Sequence, residues 1–485
     1  MGPQRFETII VGTGFAGLGL AAKLRGAGRA DFVLLEKAEA IGGTWRDNSY
    51  PGAECDVPSA LYSYSFAPNP TWDFKWAKQD QILRYIDDFA DDFGLRPHIR
   101  HGAKVVRAEW LDASGEWLVS LESGEQMRAR FLVSAIGQLH HPKIPGFEGL
   151  DAFDAPAFHT ARWDHSLDLI GADMACIGNA ASAVQLIPEL AKTVRTLTVY
   201  HRSPNWIIDK SDRPYSALEK RIGKAVPAFA KLYRAAIWAQ GEYGLWPAIR
   251  GKPLQSRILR KEHETKLADA FPDDPAMREK LTPDYPIGAR RILLSDTYIP
   301  ALARDNVKVV FDPIERFTQG GIVAGGVERP HDVVAFATGF VTNPFLMEIE
   351  VVGNGGLALS ERWADGAEAY LGTMTAGFPN LFILYGPNTN TGHTSVIFKL
   401  EQQFSLVLKL IDRAGRGRVS VRADAEAAYN AQVQRRLRDT AWDKVGASWY
   451  KDGEKITNNW PGSSREFKRR LRRPVYDHFD FEGAA

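Results

Sequence analysis

The stretch from residue 6 to residue 36 constrains this chain more than any other. Residues 6–11 (FETIIV) form an apolar run of strand character. Gly12, Gly14 and Gly17 follow in the order G-x-G-x-x-G, with Phe15 and Ala16 between the last two; then come the helix-forming LGLAAKLRGAG and a second apolar run ending at Glu36. Strand, glycine turn, helix, strand and acid in that order specify a βαβ unit that receives a dinucleotide. Gly12 permits the tight turn, Gly14 lets the backbone approach a pyrophosphate, and Gly17 lets the helix pack close to the strand. The free N–H groups of the helix N-terminus then face the phosphates. Glu36 stands about 20 residues on, where a carboxylate can accept from ribose hydroxyls.

The rest of the chain is long enough for more than this unit: 485 residues predict two or three domains. A net charge of +1 gives no global attraction to nucleic acid. The basic run at Lys468, Arg469, Arg470, Arg472 and Arg473, interleaved with Phe467 and Leu471, reads as a solvated helix face. The two cysteines, Cys55 and Cys176, form no C-x-x-C pair, which argues against a redox disulfide or a zinc site. With no leader pattern and no apolar run of about 20 residues, a cytoplasmic protein without a membrane span is expected.

Glycines continue after Glu36 and Lys37. Gly42 and Gly43 precede Thr44, Trp45 and Arg46, and Tyr50-Pro51-Gly52 and Cys55-Asp56-Val57 follow. A glycine pair just past the acid lets the chain pass close over a large cofactor, which favours FAD over NAD. Residues 131–137 (FLVSAIG) read as another strand, and Gln138 with the proline-bearing stretch 141–146 reads as the exit from the first domain. A second βαβ pattern then begins: strand ADMACI, the turn Gly178-Asn-Ala180-Ala-Ser-Ala183, a helix, and strand TLTVYHR. Its small residues, with Ala181 and Ser182, still admit a pyrophosphate. No acid closes it; Arg202 stands there instead. A carboxylate would repel a 2′-phosphate that an arginine grips, so this site predicts NADPH. Residues 209–280 break the α/β rhythm with helical stretches, among them ALEKRIGKAVPAFAKLYRAAIWAQ read as one run. Beyond Tyr285-Pro286-Ile287-Gly288-Ala289-Arg290-Arg291, strands NVKVVFD and DVVAFATG, a buried strand turning at Asn388, and a long helix SVIFKLEQQFSLVLKLI complete the pattern.

Several of these segments together resemble the type I Baeyer–Villiger monooxygenases and the related flavin-containing monooxygenases. The run GGTWRDNSYPGAECDVPSALYSYSF is similar to that family's segment along the flavin. Phe153, His159, Trp163 and Asp164 match the signature F-x-G-x-x-x-H-x-x-x-W-[PD], with Ala155 in place of its glycine. Alanine dislikes a backbone angle that glycine accepts, so this departure bears on subgroup membership more than on fold. Arg202-Ser203-Pro204-Asn205-Trp206 and Pro286–Arg291 are similar to two further family segments. The resemblance implies that Arg291 is the catalytic arginine, that Asp56 orients it near the flavin ring, and that Arg290 helps hold NADPH phosphate. Read from its residues alone, Asp56 is a turn-capping carboxylate. His159 and Trp163 are implied to act in coupling between domains, the insertion to wall the substrate cavity, and residues 448–450 and 458–464 to close over the nicotinamide.

The expected architecture is α/β: two doubly wound Rossmann-like dinucleotide-binding domains with a helical insertion. Residues 1–143 and 340–485 form a discontinuous FAD domain; residues 144–339 form the NADPH domain, with the insertion at 209–280. The expected cofactor contacts are Gly12, Gly14, Phe15, Ala16, Gly17, Glu36, Lys37, Gly43, Thr44, Trp45, Asp56, Val57, Tyr62, Gln138 and Asn388 for FAD. For NADPH they are Gly178, Ala181, Ser182, Ala183, Arg202 and Arg290. The implied reaction inserts one oxygen of O2 into a ketone by way of a C4a-peroxyflavin, giving an ester or lactone from a small organic substrate. Sulfur or nitrogen oxygenation on the same cofactors, and a non-catalytic FAD-holding protein, are the alternatives. Oligomeric state is not legible.

Overall fold

In the computed structural model, residues 2–483 are described, apart from Pro344, Met347 and Ala447. The chain opens with β1 (Gln4–Val11), α1 (Phe15–Gly26) and β2 (Phe32–Leu35). α1 is buried on nearly every side from Phe15 to Ala22, as a helix must be when it lies between a sheet and a second helical layer. Gly19 allows the closest approach: a Cβ there would meet the rings of Tyr64 and Phe404 at 2.6 and 2.7 Å. Two helices, α2 (Thr44–Asp47) and α3 (Gln79–Asp92), lead to β3 (Ile99–Arg100). An antiparallel meander follows, β4 (Val105–Leu111), β5 (Glu116–Leu121) and β6 (Gln126–Ser134), and β6 then runs parallel to β1.

The chain crosses to a second, all-parallel sheet made of β7 (Ala157–His159), β8 (Asp173–Ile177), β9 (Thr196–Tyr200), β12 (Val307–Val310) and β16 (Val333–Phe336), in the order β12-β9-β8-β16-β7. α4 (Ala181–Leu190) connects β8 to β9, and Pro188 lies two residues before its end. A short pair, β10 (Ile207–Ile208) with β11 (Leu293–Leu294), brackets the insertion. The insertion holds α5 (Ala217–Ala225), α6 (Pro227–Gln240), a π-turn at Gly241–Leu245, α7 (Trp246–Ile249), α8 (Pro253–Ala270) and α9 (Pro275–Leu281). The stretch expected as one helix over 217–240 is two, broken at Val226 (φ −127°, ψ 81°). Pro227 denies the preceding residue the helical region, yet suits the first position of α6. An antiparallel meander that the sequence reading passed over, β13 (Ile314–Phe317), β14 (Gly321–Ala324) and β15 (Val327–Pro330), covers one face of this sheet. Its second turn is the pair Gly325–Gly326, both at positive φ, an ordinary hairpin signal.

The chain then returns. β17 (Glu350–Val352) and β18 (Leu381–Ile383) join the first sheet, whose order is β17-β4-β5-β6-β1-β2-β3 with β18 beside β6. The two crossings travel together: the Lys143 N–H donates to the Gly339 carbonyl and the Val341 N–H to the His141 carbonyl, each at 2.9 Å. His159 pins this paired linker. Its Nδ1 accepts from the Ala161 N–H, which leaves Nε2 as the donor to the Gly339 carbonyl at 2.9 Å. Ala155 is not among the residues at positive φ, so alanine sits in ordinary backbone where the signature has glycine. Among the described residues no helix is long and apolar enough to cross a membrane. Phe467 and Leu471 are fully buried beneath the basic run, whose helix Ser464–Arg472 presents its arginines outward.

Candidate active site

A cavity of about 1280 Å³ opens where the two sheets meet. Sites for one drug-sized molecule run to roughly 300–1,000 Å³, so this one has room for more. Both glycine turns, the loop 42–57, the paired linkers, the turn after β18 and residues 448–452 furnish its walls.

The first turn is shaped by what cannot be added to it. Gly12 has φ +105°, and a Cβ there would lie 2.7 Å from the Ala135 carbonyl oxygen; one on Gly17 would lie 1.9 Å from that of Gly12. A Cβ on Gly14, by contrast, would meet nothing nearer than the Gly43 Cα at 4.0 Å. The bare backbones of Gly14 and Gly43 therefore leave open space directly before the N-terminus of α1, the requirement for a pyrophosphate. Gly12, Gly14, Phe15, Ala16, Glu36, Lys37, Gly43, Thr44, Trp45, Asp56, Val57, Tyr62 and Gln138 all line the cavity. Trp45 donates its indole N–H to the Tyr62 hydroxyl at 3.0 Å. Gln138 donates to the Tyr385 carbonyl at 2.7 Å, while its own buried Oε1 has no partner. An orphaned acceptor in the wall is the place for a ligand N–H. The open glycine cradle and this acceptor fit a flavin dinucleotide.

Three expected contacts do not reach the cavity. Gly17 lies beneath the turn, where it sets helix packing. Ala183 is fully buried in the core under the second turn. Asn388 is corrected to a structural role: its side-chain amide donates to the carbonyls of Ile456 at 2.8 Å and Asn459 at 3.0 Å, tying the late turn to the C-terminal segment. Glu36 lines the cavity but already accepts from the Thr13 N–H and hydroxyl, the Ala38 N–H and Arg46. A ribose hydroxyl has to displace one of these donors, because a carboxylate offers about four acceptor positions.

The second turn repeats the first. Gly178 has φ +113°, and a Cβ would lie 2.4 Å from the Ala337 carbonyl oxygen, as Gly12 stands to Ala135. Gly178, Ala181, Ser182, Arg202 and Arg290 line the cavity on this side. Arg202 is exposed at the end of β9. Arg290 is oriented by Ser203 Oγ at 2.7 Å and by the face of Tyr285, 4.7 Å from the ring centroid.

Between the turns, Arg291 Nη2 meets Asp56 Oδ2 at 2.9 Å. Asp56 is 13% exposed, whereas 41% of the Arg291 side chain faces the open cavity. Burial is the largest influence and opposes the guanidinium charge, but Asp56, with smaller help from Tyr450, Tyr385 and Cys55, raises the Arg291 pKa on balance. Burial also raises the Cys55 thiol and the Tyr385 phenol, and pushes Tyr450 up to about 12, so all three stay neutral around it. Arg291 thus faces one anion, Asp56, and has charge to spare for a second in the cavity. Sequence reasoning missed the residue that holds Asp56. Gln185, on α4 of the second sheet, donates to Asp56 Oδ1 at 2.9 Å and to the Glu54 carbonyl at 3.0 Å, and accepts from the Tyr50 hydroxyl at 2.8 Å. Gly52 permits this contact: a Cβ there would lie 2.5 Å from the Gln185 carbonyl oxygen. The one signal was a lone amide on an otherwise apolar helix face.

The insertion does not wall the cavity. Among the described residues none from 207 to 289 lines it; instead Glu242 and Trp246 back the turn at His393. Ser448, Trp449, Lys451 and Asp452 border the cavity, but Asn458, Asn459 and Trp460 are buried packing rather than a cover.

A family model described as pyridine nucleotide-disulphide oxidoreductase matches residues 9–237. A Baeyer–Villiger monooxygenase of Streptomyces coelicolor is 42% identical over 97% of this chain and 91% of its own length. The chain belongs to the Baeyer–Villiger monooxygenase family. A second family member, from Pseudomonas aeruginosa, is 38% identical over 96% of this chain and 89% of its own length. Among solved structures, an oxidised steroid monooxygenase bound to NADP superposes with a TM-score of 0.88 at 30% identity, over 99% of this chain and all of that one. Cyclohexanone monooxygenase from Rhodococcus sp. Phi1 bound to NADP+ gives 0.89 at 27%, over the full length of both. Cys55 and Cys176 are both free and buried, and burial raises both thiols, Cys176 to about 12.

Proposed function

We propose that this protein, a flavin-dependent monooxygenase of the Baeyer–Villiger type, uses NADPH and O2 to insert one oxygen atom into a small organic ketone, giving an ester or lactone. The observation that carries this reading is the Arg291–Asp56 pair facing a cavity that two glycine turns share. Bound FAD supplies hydride acceptance and oxygen activation, and NADPH supplies the hydride.

In this reading the first sheet, with residues 1–143 and 340–485, holds FAD at Gly12, Gly14, Phe15, Ala16, Gly43, Thr44, Trp45 and Gln138. Residues 144–339 hold NADPH at Gly178, Ala181 and Ser182, with Arg202 and Arg290 on the 2′-phosphate. Arg291, permanently charged and fixed by Asp56, stabilises negative charge that develops on oxygen in the pocket. Losing a fixed donor of this kind typically costs about 2.7–4 kcal/mol of barrier. Gln185 keeps Asp56 in place and so acts through it. A cytoplasmic setting, where thiols stay reduced, suits the two buried cysteines.

The test is product identity. Purified enzyme is incubated with NADPH, air, and panels of cyclic ketones and thioethers, and the products are identified by mass spectrometry. Lactones or esters are expected from the ketones; sulfoxides alone would replace this reading with heteroatom oxygenation.

A further inference from the structure

Because the insertion contributes nothing to the cavity wall, its outer face is free for another task. α6 is the unusual element. Its sequence, PAFAKLYRAAIWAQ, is mostly apolar, yet only Ile237 is buried. Phe229 and Leu232, spaced by three and so on one face of α6, are 47% and 71% exposed, and Val226, at the break just before the helix, is 46% exposed. Ala235 and Ala236 continue that face outward. α8 repeats the pattern with Leu254 at 64% and Ile258 at 57%, one turn apart. Of the eleven exposed large apolar side chains among the described residues, seven lie between 218 and 258. Such a concentration marks an interaction surface rather than the scatter normal for a soluble exterior.

Its charge identifies the partner. Residues 217–261 contain ten lysines and arginines against two acids, while the remainder of the chain is net acidic. Of those two acids, Glu219 is paired with Arg213 and Glu242 is buried. Lys224 and Lys231 flank the α6 stripe, and Lys252, Arg257 and Lys261 flank that of α8, all exposed. Pairing this face with its own copy would oppose like charges. An apolar stripe edged by long cationic side chains is instead the make-up of a helix lying in a membrane interface. The stripe enters the acyl boundary and the lysines reach the headgroups.

We propose that the outer face of the insertion, centred on Val226, Phe229 and Leu232 with Lys224 and Lys231, docks the protein on an anionic lipid bilayer. Among the described residues no helix is long and apolar enough to cross a membrane; the proposed association is peripheral and weakens with salt.

The test is co-sedimentation of the full-length FAD-loaded protein with phosphatidylcholine vesicles, alone or with about a quarter phosphatidylglycerol, at low and high salt. Binding to the anionic vesicles, lost on the neutral ones and at high salt, is expected. Lys224→Ala with Lys231→Ala is expected to weaken it about 25-fold, at roughly fivefold per lysine. Phe229→Glu with Leu232→Glu is expected to abolish it. Both variants keep NADPH-dependent flavin reduction, which reports an intact fold. Should either fail to fold, the lipid and salt arms on the wild type decide. The proposal is overturned by absence of binding to anionic vesicles, or by binding that folded variants do not diminish. It is also overturned by a wild-type dimer in light scattering that Phe229→Glu with Leu232→Glu renders monomeric.

Discussion

At the scale of single residues, the candidate site was legible unequally. Arg202 announced itself, because a cation where the first unit has Glu36 has one obvious use. Removing it tests that use. Arg202→Ala deletes charge-assisted contacts to a 2′-phosphate, so KM for NADPH should rise about 10- to 100-fold while NADH kinetics barely change. Steady-state rates with both nucleotides measure this, and an equal loss with NADH would remove Arg202 from phosphate recognition. Asp56 was another matter. A carboxylate in a turn is usually a cap, and only its resemblance to a family segment pointed to Arg291. The structure supplies the physical link, a contact of 2.9 Å across 235 positions of sequence that no local pattern encodes. Ala155 shows the reverse: a departure from a signature that carries no backbone strain, since φ there is not positive.

At the scale of elements, periodicity located the strands of both βαβ units, because those strands are buried on both faces and read as unbroken apolar runs. It failed where two elements meet. The helix expected across 217–240 breaks at Val226 through a proline that was visible but outweighed by the apolar spacing. Gln185 was lost in the apolar face of α4, although it joins that helix to the loop bearing Asp56 and leaves no unmet polar group there. Gln185→Leu should strand the Tyr50 hydroxyl and one Asp56 oxygen. The expected cost is about 1–3 kcal/mol of stability. Because Gln185 positions rather than reacts, product formed per NADPH consumed should fall more than the rate of flavin reduction. Thermal unfolding and coupling measurements test both, and unchanged coupling would leave Gln185 a packing residue only.

At the scale of the whole molecule, two sheets joined by a paired linker make one cavity, and the glycine turns made the two halves readable at once. What the sequence could not show was the insertion's position behind the His393 turn, since that depends on packing between distant segments. The assembly also has a pH signature. Burial holds His159, His201 and His331 near 4, below the roughly 6.5 of free imidazole. The unfolded chain therefore binds protons that the folded one refuses, and stability present above about pH 6.5 is lost as pH falls toward 4. Each histidine contributes on the order of 1–2 kcal/mol by pH 5. A Tm that drops between pH 7 and pH 5 is expected in scanning fluorimetry, whereas a flat profile would mean these imidazoles are not held neutral.

The central claim is that Arg291, fixed by Asp56, serves the oxygen-transfer step and not the delivery of hydride. Arg291→Ala, loaded with FAD and given NADPH, air and a cyclic ketone, separates the two. The account predicts that NADPH still bleaches the flavin at a rate close to wild type while lactone falls by at least about 100-fold. Lactone formed at the wild-type rate by that variant would contradict it.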